Sequence, residues 1–150
     1  MDKQGLVKHL LLGFIMGMIY FTLEGLWRGW THIAMLFIGG LCATLVGQLN
    51  QYPQYYKFKI WQQSLIGTLI VLIIELISGL VLNVGLGLNL WSYSDMWGNL
   101  FGQVCIQYAV LWFILVPFCI WLDDCLRFKL YGEGKPYAIK EIYWELITLR

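Results

Sequence analysis

Charge is what this chain has least of. Asp, Glu, Lys and Arg make up 13% of its 150 residues, about half the share of an ordinary soluble domain. Set against 59% hydrophobic residues, this excludes a water-soluble globule, because a protein of this size has too little interior to hide so much apolar surface. The formal net charge is +1 and no basic stripe runs along the chain, so nucleic acid is not an expected partner. The four cysteines, Cys42, Cys105, Cys119 and Cys125, form no CxxC pair. They are expected to act as small apolar side chains rather than zinc ligands or disulfides. No P-loop, no GxGxxG after a strand, no GxSxG and no HExxH is present, so nucleotide, serine-nucleophile and zinc-hydrolase chemistry have no foothold. No metal, cofactor or catalytic residue is assigned, and an enzyme is the less favoured reading.

What the chain does have is long apolar runs. About 20 apolar residues cross a bilayer, and four runs qualify: Leu6 to Trp27, His32 to Leu49, Trp61 to Leu82 and Gly102 to Trp121. The start, Met1 to Lys8 ahead of an apolar run, has the layout of a signal peptide, but no small-x-small cleavage site follows, and a retained membrane helix is expected. Gly13 and Gly17 in the first run, and Gly39, Ala43 and Gly47 in the second, are spaced for close helix–helix contact. Gln48 to Lys59, with Pro53, reads as a loop. Gly85 and Gly87 predict fraying or a break after the third run, and Pro117 predicts a kink in the fourth.

The stretch Trp91-Ser-Tyr-Ser-Asp-Met-Trp-Gly-Asn-Leu-Phe-Gly-Gln103 is expected to be a short re-entrant or interfacial segment opening the fourth helix, with Asn99, Gln103 and Gln107 stacked on one face at i, i+4 and i+8. After a Gly-Glu-Gly-Lys-Pro turn, an amphipathic helix from about Tyr137 should carry Ile139, Ile142, Tyr143, Leu146 and Leu149 on one side. It would lie on the membrane surface or pack beneath the bundle. The fold expected is all-α and polytopic, a four-helix transmembrane domain over residues 1–128 with a cytoplasmic tail over 129–150.

With four crossings, Lys3, Lys8, Lys57, Lys59, Arg127, Lys129, Lys135, Lys140 and Arg150 fall on one side and Arg28 alone on the other. The positive-inside rule then makes both termini cytoplasmic. Glu24 and Glu75 come to similar depth in the outer half, where ionisable groups are costly and usually face an interior site. The candidate pocket opens outward, with Glu24, Arg28 and Glu75 as its floor and Trp91, Tyr93, Ser94, Asp95, Asn99, Gln103 and Gln107 as its lid and wall. A purely structural network is the competing reading. In it Glu24 and Arg28 neutralise each other, and Glu75 accepts from Ser78, Trp91 or an amide of the fourth run. His32 reads as an interface residue rather than a metal ligand.

These residues carry a family resemblance. Tyr20-Phe-Thr-Leu-Glu24, Gly29-Trp-Thr-His-Ile-Ala-Met-Leu-Phe-Ile-Gly-Gly40, Glu75-Leu-Ile-Ser-Gly79, Trp91-Ser-Tyr-Ser94, Asn99-Leu-Phe-Gly102, Val104-Cys105 and Trp112 occur in that order. Over about residues 14 to 126 the chain resembles the CmpB-like family of small bacterial membrane proteins, labelled "putative ABC-transporter type IV". Ser92 stands where the family usually has Asp, and Trp97 where Pro is common; Asp95 is a candidate stand-in for the acid. The resemblance implies a transport-related role, with any ATP-driven step needing a separate ATPase. A permease-like subunit, working as a homo-oligomer or with a partner membrane protein, is therefore the expectation. A non-transporting scaffold and a membrane enzyme acting on lipid headgroups are its rivals, and a holin-like pore is a remote one.

Overall fold

The computed structural model describes residues 3–150, with Tyr56 described by its backbone alone; Met1 and Asp2, part of the signal-peptide-like start, lie outside the described residues. Five helices follow one another: α1 (Lys3–Arg28), α2 (Ile33–Gln48), α3 (Ile60–Gly79), α4 (Ile106–Tyr131) and α5 (Ile139–Thr148). A π-helical turn, Leu80–Gly85, continues α3. Four helices, ending at Arg28, Gln51, Gly85 and Tyr131, are long and apolar enough to cross a membrane. The 26-residue α1 alone reaches about 39 Å.

The distribution of side chains is inverted relative to a soluble protein. Phe14, Phe37, Leu65, Leu69, Ile73, Ile77 and Val110 are exposed, while Asn50, Ser64, Thr68, Glu75, Asn83, Gln103, Asp123 and Arg127 are buried. Outward apolar faces and inward polar groups are what hydrocarbon as solvent demands. The chain is a multi-pass membrane protein.

Local signals set the helix ends. Gly29, at φ 79°, turns the chain after α1. His32 caps α2, its Nδ1 accepting from the Ala34 N–H at 3.2 Å. The Lys59 N–H donates to the Gln62 side chain at 2.9 Å at the start of α3. Gly132, at φ 68°, closes α4 in the left-handed conformation.

Small residues let the spans approach. A Cβ on Gly17 would run into the Leu36 carbonyl and the Gly40 backbone, and one on Gly40 into the Gly13 carbonyl. The α1–α2 contact therefore uses Gly40, one residue away from the Gly39–Ala43–Gly47 strip. Gly39 instead receives the Tyr20 ring and Gly47 receives Asp123. Val46, Tyr55, Val71, Val116 and Ile120 form the core between α2, α3 and α4. Gly17→Ala is expected to destabilise the protein by about 1–3 kcal/mol through overpacking. Gly25→Ala, whose new Cβ meets only the Thr31 methyl at 3.4 Å, should be neutral or stabilising by up to about 1 kcal/mol. Thermal melting of the two variants in detergent checks the contrast; equal midpoints would count against the close crossing.

Two expectations need correcting. The fourth helix begins at Ile106, not near Gly102, so Asn99 and Gln103 lie in the preceding loop and only Gln107 is helical. The three amides do not share a helix face. Positive φ at Gly98, Phe101 and Gly102 breaks any helix there, and an isolated Leu100–Val104 bridge closes the loop on itself. In the tail, Leu149 is exposed rather than on the packed side, because it is the left-handed C-cap of α5 at φ 54°. The tail folds back on the bundle: Trp121 Nε1 donates to the Tyr137 carbonyl at 3.2 Å, the Tyr143 hydroxyl donates to the Ile114 carbonyl at 2.8 Å, and Leu146 is buried.

Candidate functional site

Glu24 lies in the last turn but one of α1, one turn before Arg28. That spacing puts both side chains on one face. Arg28 Nη1 donates to Glu24 Oε1 at 2.7 Å, and the Thr31 hydroxyl donates to Glu24 Oε2 at 2.5 Å. Arg28 Nη2 reaches across to the Leu90 carbonyl at 2.6 Å, and its guanidinium sits over the Trp30 ring at 4.6 Å. Glu24 is therefore neutralised and its two oxygens are occupied. This pair fastens the end of α1 to the long loop.

Glu75 is held differently. It sits on the buried face of α3, and Gly79 and Asn83 follow it at i+4 and i+8 on the same side. The Tyr93 hydroxyl donates to Oε1 at 3.0 Å, and Trp112 Nε1 donates to Oε2 at 3.3 Å. Both donors are neutral. Among the described residues no Lys, Arg or His forms an ion pair with Glu75. Tyr93 stacks on Tyr108 at 4.6 Å, and burial, reinforced by the Glu75 carboxylate, pushes its hydroxyl well above the ordinary phenol range. Tyr93 thus remains a hydrogen-bond donor across the physiological pH range.

Asn83 is the hub that fixes the loop above Glu75. Its Nδ2 donates to the Trp91 carbonyl at 3.0 Å and to Gln103 Oε1 at 2.8 Å, while its Oδ1 accepts from the Leu90 N–H at 2.7 Å. Gln103 fits because residue 79 is glycine, and Trp91 Nε1 in turn donates to the Gln103 carbonyl at 3.1 Å. Asn99 closes the loop tip, donating to the Ser94 and Met96 carbonyls and accepting from the Gly102 N–H.

Beneath Glu75 lies a cavity of about 170 Å³ bordered by all four spans. Met16, Tyr20, Met35, Cys42, Ala43, Val71, Trp91, Trp112, Val116 and Cys119 are among its lining residues, and among the described residues Glu75 is the one charged side chain in its wall. Tyr20 and Trp112 approach each other there, ring centroids 6.1 Å apart.

Of the ten residues singled out from the sequence, Glu75 and Trp91 line this cavity. Tyr93 reaches it through Glu75, and Gln103 supports Trp91 from behind. Glu24 and Arg28 pair beside it rather than in its wall. Ser94 and Asn99 spend their hydrogen bonds within the loop, and Asp95 and Gln107 are exposed. Asn83, Thr31 and Tyr20 were missed. Asn83 stands eight residues after Glu75 with Gly79 between them, and that spacing was the signal for it.

The family described as "Putative ABC-transporter type IV" matches residues 8–147 of the chain. No curated protein and no solved structure matches it.

Proposed function

The chain belongs to the family described as "Putative ABC-transporter type IV", and from that premise we propose that it is a permease-like membrane subunit whose transport site is the Glu75 cavity. The observation that carries this reading is a carboxylate without a cationic partner among the described residues, set in the wall of an otherwise apolar cavity at the centre of four spans. An ionisable group at such depth costs at least about 2.5 kcal/mol. A structural role alone would be served better by an amide.

In this reading both termini are cytoplasmic in a bacterial inner membrane, and the 86–105 loop with its Ser94, Asp95 and Asn99 tip faces outward. Glu24 and Arg28 anchor that loop through Leu90, and Asn83 anchors it through Trp91 and Gln103. ATP-driven movement would draw on a separate ATPase, because the chain holds no P-loop of its own.

The test compares cells lacking the protein with cells complemented by wild type or by Glu75→Gln. Small molecules in cell and medium, and membrane lipids, are profiled by mass spectrometry. Wild type should shift the cell-to-medium ratio of at least one solute by about threefold or more, and Glu75→Gln should abolish that shift. Altered lipid headgroups with unchanged solute ratios would replace the transporter with a lipid enzyme. No change in either would leave a scaffold and overturn the transport reading.

A further inference from the structure

We infer that the Glu75 cavity binds a small lipophilic amine in its cationic form, which enters sideways from the bilayer between α1 and α4. This rests on the reading of the cavity as the transport site, and adds the chemistry and the route of its ligand.

The charge follows from the partners of Glu75. A carboxylate offers about four lone-pair sites, and the protein fills two, with Tyr93 and Trp112. Glu75 itself borders the cavity, and among the described residues no cation lines it. Glu24, the α1 carboxylate at this end, is already matched by Arg28, and Asp95 is exposed in the loop. An ammonium group would supply both the missing charge and the missing donors, as a charge-assisted hydrogen bond. Tyr20, Trp91 and Trp112 also line the space, and aromatic faces around a carboxylate favour a cation over a neutral donor.

The size follows from the volume. A cavity of about 150 Å³ lined by apolar side chains accommodates benzene, so the 170 Å³ here takes about one ring or a short alkyl group besides the charged head. The route follows from the helix packing. Contacts between α1 and α4 are sparse, whereas α1 packs extensively on α2. The cavity reaches the gap between α1 and α4, where its lining residues Leu23 and Leu115 are 56% and 36% exposed. That mouth is apolar and faces lipid, which admits membrane-partitioned molecules and refuses strongly hydrated ones.

The full chain in nanodiscs tests this, with benzylamine, benzyl alcohol and benzoate as probes and empty nanodiscs as the blank. Wild type should bind benzylamine at least about tenfold more tightly than the isosteric alcohol, and benzoate not at all. Glu75→Gln should bring the amine down to the level of the alcohol, whose own binding persists and reports a folded cavity. Cys119→Phe, which fills the cavity and leaves Glu75 in place, should weaken both amine and alcohol. Equal binding of amine and alcohol by wild type overturns the proposal. So does an amine preference that survives Glu75→Gln, or benzylamine binding undiminished in Cys119→Phe. A wild type that prefers benzylamine but moves no solute in cells would retire the transport reading and keep the amine site; transport without amine preference would do the reverse.

Discussion

Asp123→Ala should lower the thermal midpoint of the detergent-solubilised protein by about 10 °C, from a loss of roughly 3–5 kcal/mol. Asp123 and Arg127 are one turn apart on α4, their side chains 1% and 4% exposed, with Arg127 Nε donating to Asp123 Oδ2 at 2.5 Å. Removing the carboxylate leaves a guanidinium enclosed without its partner, and that enclosed charge is the main cost. Glu133 offers little relief. It lies 3.7 Å from Arg127 Nη1, is 42% exposed, and is engaged by Lys8. The double variant Asp123→Leu/Arg127→Leu removes both charges and should recover most of the lost stability, because two apolar groups of similar size need no partner. A single variant as stable as wild type, or a double variant no better than the single, would show that the buried pair does not hold this end together.

That pair also marks how far the sequence could be read. The four spans were legible because hydrophobic runs of about 20 residues carry their own signal. Close contact at Gly13 and Gly17 was legible because only small residues repeat there. Asp123 and Arg127 follow directly on the apolar run that ends at Trp121, where a span is expected to turn polar. Yet Val116, Ile120, Asp123 and Arg127 continue a single buried stripe on α4, so the helix period placed both charges inside. Asp123 then packs on Gly47 of α2, a contact between segments distant in sequence that periodicity on one helix cannot reveal.

The site was legible in part for a similar reason. Glu24 and Arg28 pair within one helix, and local spacing specifies such a pair. Glu75 was legible as an acid inside the third span, and it is buried, but its partners come from the loop and from α4, 18 and 37 residues further on. The Asn99, Gln103 and Gln107 spacing imitated a helix because i+4 repeats carry no information about left-handed backbone. Phe101 at φ 53° is a conformation that a non-glycine residue rarely announces. Turn geometry overrode the repeat, and Gln103 reached Asn83 from a loop instead of from a helix face.

Asn83→Leu is the change expected to release that loop. Leucine keeps the approximate size of asparagine and removes all three of its hydrogen bonds. The Leu90 N–H, the Trp91 carbonyl and Gln103 Oε1 would then lose their Asn83 partner in a buried setting. Each buried group so stranded costs about 1–3 kcal/mol, so the loop's local stability should fall by about 3 kcal/mol. Hydrogen exchange at the Leu90, Tyr93 and Leu100 amides, which bond to Asn83, Gly102 and Val104, should quicken by about a hundredfold. Amides of α4 around Asp123 should be unaffected, because that end of the bundle shares no partner with the loop and distant sites act independently. As Trp91 and Tyr93 loosen, Glu75 loses one of its two donors and the cavity one of its aromatic walls. Asn83→Leu should therefore weaken benzylamine binding without touching Glu75. Unchanged exchange in the loop would mean that the bundle holds it without Asn83, and that the amide on the π turn is a passenger.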